Sequence, residues 1–264
     1  MKKMFIVMIL ALCAPWSRVM ADGITPIQAS VWSPIQVFPR DWDVVGFRFG
    51  GFYSRNRHVY GLDLGLVNRA DASSGGIQLG LMNTASKSGG RFLDSFGSDS
   101  YARLGERPAR YTGIQLGFMN HADEMWGLQY GLFNDARTIK GLQLAPGCNI
   151  CYGVSDVHSG VQLALVGNNA FGDFNGAQIG AGNITFEEMH GLQFGILNFA
   201  DTMNLADKEM HGLQLGILNG AGRMRGLQFG VFNVAQKLYG IQIGVLNIII
   251  ESPIPVLPVI NAQF

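Results

Sequence analysis

The amino-acid sequence predicts an all-β fold: a closed antiparallel transmembrane β-barrel of about 12–14 short strands, built from repeats of 14–16 residues. The alternative is a β-solenoid with one repeat per coil. Three observations carry this reading. Between Gly212 and Asn247 one phrase occurs three times at a spacing of 14 residues, as GLQLGILN, GLQFGVFN and GIQIGVLN. Within each phrase apolar residues alternate with small or polar ones, and a period of two marks a strand. Charged residues are only 14% of the chain, against about 25% in soluble domains, too few for an ordinary water-facing surface. The formal net charge is zero, so no nucleic-acid partner is implied.

Taken in order, the chain opens with an export leader. Lys2 and Lys3 provide a positive start, Met4 to Ala14 an apolar run too short to span a bilayer, and Val19-Met20-Ala21 a small-residue cleavage site. The expected division is therefore residues 1–21 as signal peptide and 22–264 as a single repeat-built β domain. Residues 22–40 hold two Pro-Ile-Gln triplets, which confine the segment to extended, edge-like conformations. A short strand is expected around Ile35 to Phe38. Twelve repeat units then open at Gly46, Gly61, Gly76, Gly113, Gly127, Gly141, Gly160, Gly176, Gly191, Gly212, Gly226 and Gly240. Each unit reads as a strand of about ten residues, the length that crosses an outer membrane at a tilt. The spacings are 15, 15, 37, 14, 14, 19, 16, 15, 21, 14 and 14 residues, the largest reflecting a polar insertion from Arg91 to Thr112. Val256 to Phe264 forms a last extended segment.

The two architectures use the faces of the repeat differently. In a barrel the Leu/Ile/Phe face meets lipid, and the Gly-Gln-Gly face lines the interior. Tyr60, Trp126 and Tyr239, mixed with Lys140, Arg225, His190 and His211 just before the opening glycine, then mark the membrane interface. A solenoid explains better why Asn, and Ala two places later, recur at fixed positions, because parallel stacking rewards ladders of identical residues. It also leaves the large apolar residue before each Asn in water, a stripe that soluble proteins avoid.

Tandem GLQxGxxNxA units after a signal peptide, the opening WDVVGFRFGGFYSRNRHVYGLDLGLVN from Trp42 to Asn68, and a Pro-rich tail ending in Phe264 resemble the surface-repeat proteins of diderm bacteria. The resemblance implies an outer-membrane or cell-surface location, with outer-membrane lipid as the partner, and implies no specific activity.

Motifs that carry chemistry are few. The sequence contains no G-x-S-x-G, no H-E-x-x-H and no phosphate-cradling G-x-x-x-x-G-K, so no enzyme and no cofactor is expected. Cys148-Asn149-Ile150-Cys151 reads as a disulfide pinning a loop, with His158 as the one nearby residue able to join a metal site. His190 and His211 hold the same place in consecutive units and are read as interfacial rather than metal-binding. The row Gln78, Gln115, Gln129, Gln143, Gln162, Gln178, Gln193, Gln214, Gln228 and Gln242 is expected to face the barrel lumen, satisfying its own hydrogen bonds within a packed interior. The function expected is structural or interactive at the cell surface, with a small-solute pore or a secreted solenoid adhesin as alternatives.

Overall fold

The computed structural model describes residues 23–87, 108–154, 156–200 and 208–264. The expected leader, residues 1–21, and most of the Arg91–Thr112 insertion lie outside the described residues. The chain is all-β, without a helix among the described residues, and its architecture is the β-solenoid rather than the barrel. The finding that overturns the barrel is strand direction. Successive units pair parallel and in register, so that Gly46, Gly61, Gly76 and Gly113 form one column. Gly141, Gly160, Gly176, Gly191 and Gly212 form another. An up-and-down barrel requires antiparallel neighbours, whereas identical repeats stacked in one direction place every residue on its own copy.

The repeat folds this way because its inward positions change parity at a corner. Along the strand Glu209–Ile249 the inward side chains are Met210, Gln214, Asn219 and then Met224. Gln214 and Asn219 are an odd number of residues apart, so both can face inward only if the chain turns between them. The second glycine of the unit, Gly216, marks that turn. A Cβ there would meet Asn198 Nδ2 and the carbonyl of Gly195. The opening glycine is needed for a different reason. All twelve have positive φ, between 116° and 149°, a conformation that side chains other than hydrogen rarely adopt. At Gly240 an added Cβ would also lie 1.9 Å from the carbonyl oxygen of Gly226.

Two compact units, one ending at Asp123 and one beginning at Glu124, are made of these rungs. In the first, Ile24–Trp32 runs parallel to Asp43–Asn56 and starts the stack, while the two-residue strand Ile35–Gln36 folds back antiparallel on it. Val44, Val59 and Ala70 make a small apolar core. In the second unit the core is a longer column that includes Ile139, Phe174, Met189, Met210, Met224 and Leu238. The final strand, Val256–Gln263, reverses direction and pairs antiparallel with residues 240–248 of the last rung.

Candidate functional site

The glutamine row does face inward, but into a packed interior and not a lumen. All ten residues are 0–1% exposed. In the second unit each Gln Nε2 donates to the Oε1 of the rung before, from Gln143 on Gln129 to Gln242 on Gln228, at 2.7–2.9 Å. The remaining N–H of several, including Gln193 and Gln214, reaches a backbone carbonyl six residues along its own rung, at 3.1 Å. A second ladder runs through the asparagines with the opposite polarity. Asn134 Nδ2 donates forward to Asn149, and so on to Asn247, at 2.8–2.9 Å. The two columns thus carry opposed dipoles through one interior, and each amide polarises the next. A network satisfied in this way has no donors left over for a ligand.

In the first unit the column begins with the buried Gln28 of the opening strand, and the next two rungs give the glutamine position to Arg48 and Asp63. Arg48 Nε lies 2.7 Å from Asp63 Oδ1, both side chains are buried, and Gln78 Nε2 donates to Asp63 at 3.0 Å. Gln115 continues the row onto Gln78 at 2.8 Å.

The outward positions are where the molecule meets its surroundings. On one side of the rungs the side chains are Leu, Ile, Val and Phe, and they are not covered. Ile196, Ile217 and Val245 are 51%, 51% and 67% exposed. In the second unit this side deepens into an open groove of about 630 Å³, floored by Ala145, Ala164, Gly180 and Ala181 and walled by Tyr130 and Phe194. Its origin is local. The rungs opening at Gly141 and Gly160 carry one extra residue at the corner, so their Asn falls eight places after the glycine instead of seven. The two enlarged corners stack on each other, Leu165 N donating to Ala145 O at 3.1 Å. Leu165 is pushed outward to 75% exposure beside the small Ala181 and Gly182 of the next rung. Ala145 stands where most rungs have their second glycine, and Gly182 where most have a large apolar residue.

One edge of the apolar side is bounded by the position before each opening glycine. There Lys140 Nζ sits 4.8 Å from the Trp126 ring centre, and the Arg225 guanidinium 5.4 Å from that of Tyr239. His190 and His211 stack at 4.7 Å between ring centres in the same row, each beside its own glutamate. His211 Nε2 is 2.6 Å from Glu209, and His190 Nε2 is 3.4 Å from Glu188. Among the described residues no group of three or more His, Cys, Asp or Glu side chains is placed to hold a metal.

Cys148 and Cys151 are free thiols in this structure, the first half-buried and the second buried. They lie on the single strand Cys148–Cys151. Residues i and i+3 of an extended strand leave on opposite faces about 10 Å apart, beyond the reach of a disulfide. Cys151 instead joins the interior, its Sγ 3.2 Å from Gln162 Nε2. Burial pushes its thiol pKa well up, which leaves it neutral and unreactive.

No family model, curated protein or solved structure matches the chain.

Proposed function

We propose that this is an exported, non-enzymatic β-solenoid of the bacterial cell surface, with a structural or interactive role, whose apolar side lies on outer-membrane lipid. The observation that carries the proposal is the pairing of that side with its rim. Contiguous exposed aliphatic rows are unfavourable in water. The rows end against Trp126 with Lys140 and Tyr239 with Arg225, amphipathic pairs suited to the depth of lipid headgroups. The filled interior supports no pore, since neither ladder leaves space for a solute. A secreted adhesin uses the same fold and is compatible with it. The uncovered aliphatic side favours lipid.

The test is flotation of the purified protein with vesicles of phosphatidylcholine and phosphatidylglycerol. The expected result is co-flotation with a blue shift of tryptophan emission, both lost when Ile217 and Val231 are replaced by Glu. A protein that stays monodisperse in buffer and leaves vesicles alone overturns lipid attachment in favour of the adhesin.

A further inference from the structure

Two places before each opening glycine the second unit turns an apolar side chain into the core: Ile139, Phe174, Met189, Met210, Met224 and Leu238. In the rung of Gly160 that place belongs to His158. It is 0% exposed and pairs in register with Phe174, while the neighbouring pair Lys140 and Ser159 sets Ile139 on its other side. Neither ring nitrogen makes a hydrogen bond of good geometry, although the Gly153 carbonyl acts on the ring. An imidazole so placed is tolerated only while neutral.

The charged groups around it are few. Asp156 and Asp173 are near, at the bend leading into His158 and at the start of the next rung. Asp156 is already paired with Arg137 at 3.0 Å, and Asp173 Oδ1 accepts from Glu188 N at 3.1 Å. From the short strand packed on the same core comes Cys151, buried and neutral, with Asp135 beyond it. A cation at His158 therefore has carboxylates to move toward, but only by leaving the core.

We infer that His158 is a proton-triggered joint, at which the rungs of Gly160 and Gly176 part locally when the imidazole takes up a proton and swings toward Asp156 and Asp173. Desolvation holds the His158 pKa below its ordinary 6.5. Above that pH the ring is neutral in folded and unfolded chains alike, and no stability depends on it. Below it the unfolded chain binds a proton that the closed rung does not, so stability falls with falling pH. Local opening, not global unfolding, relieves the mismatch soonest, because the rungs from Gly212 onward have Met or Leu at this place. The inference does not depend on lipid attachment.

The experiment is amide hydrogen exchange of the full chain at about pH 7.5 and about pH 5, corrected for intrinsic exchange rates. Protection across residues 148–180 is expected to fall by up to roughly tenfold per pH unit below the ordinary histidine pKa, while residues 212–249 are unchanged. His158→Met, the side chain that the rungs opening at Gly191, Gly212 and Gly226 have at this place, is expected to abolish the difference. Equal protection at both pH values, or the same loss in His158→Met, overturns the joint. Should that variant fail to fold, an NMR titration of the five histidines decides. The assigned His158 imidazole titrating well below the ordinary histidine pKa supports the inference, and an ordinary curve for His158 overturns it.

Discussion

Arg48 and Asp63 occupy positions that every later rung gives to glutamine, and they show what the interior demands of a side chain. A buried guanidinium and carboxylate here replace two amides, with Gln78 joining the carboxylate to the rest of the row. Removing one member leaves the other as an uncompensated buried charge, whereas replacing both with residues that continue the ladder does not. Asp63→Gln alone is therefore expected to lower unfolding stability by about 3–5 kcal/mol. Arg48→Gln with Asp63→Gln is expected to recover most of that loss. Urea denaturation of the two variants checks the difference. Equal losses would show that the ion pair itself, and not the continuity of the row, holds these rungs.

At the scale of elements, the last strand matters for what it covers. A parallel stack ends in a rung whose outer N–H and C=O groups have no partner, an invitation to further chains. Val256–Gln263 occupies that edge antiparallel, and Leu257 O accepts from Asn247 Nδ2 at 3.3 Å, completing the asparagine ladder. The glutamine ladder, running the other way, ends on an acceptor: Gln242 Oε1 has no hydrogen-bond partner. Deleting residues 252–264 is expected to convert the protein into concentration-dependent oligomers by light scattering, because the bared edge Gly240–Ile248 pairs with other copies. A truncated chain that remains monomeric would assign edge protection to something else.

This scale also shows what the sequence makes legible. Strands and their rows follow from period-two alternation, and both are found. The inward direction of Gln78 through Gln242 is expected only for a barrel lumen, and these side chains lie instead in the packed interior of a solenoid. Strand direction does not follow from alternation, which is identical in parallel and antiparallel sheets. The signal lay in the odd separation of Gln214 and Asn219: a straight strand would send them to opposite faces, and only a corner between them lets both be buried. His158 was equally readable in principle, because it stands where neighbouring units have Met, Ile or Phe. Its significance appears only once that row is known to be the core. The groove beside Leu165 depends on two one-residue enlargements stacking, and no single unit reveals it.

For the whole molecule, the consequence of a filled cross-section is the absence of a path through it. In planar bilayers the protein is expected to give no steady unitary conductance even when it binds lipid. Reproducible channels would require the amide ladders to separate and would overturn the packed interior described above. The low charge content that suggested a membrane-spanning barrel has a different physical meaning in a solenoid. Here the polar groups are amides turned inward, and the aliphatic residues are turned out on one side, so the composition reflects an inverted arrangement of core and surface along part of the repeat.

The opposed amide columns have one more implication. Within the second unit, each rung before the last is completed by its predecessor through glutamine and by its successor through asparagine, so these rungs do not depend on their ordinal place. A duplicated segment such as residues 226–239 can join the pile without altering the cross-section, lengthening it by about 4.8 Å. Copy number thus sets how far the oily flank extends, while the 14-residue phrase sets its breadth, and genetic expansion or loss of whole phrases can tune one without touching the other.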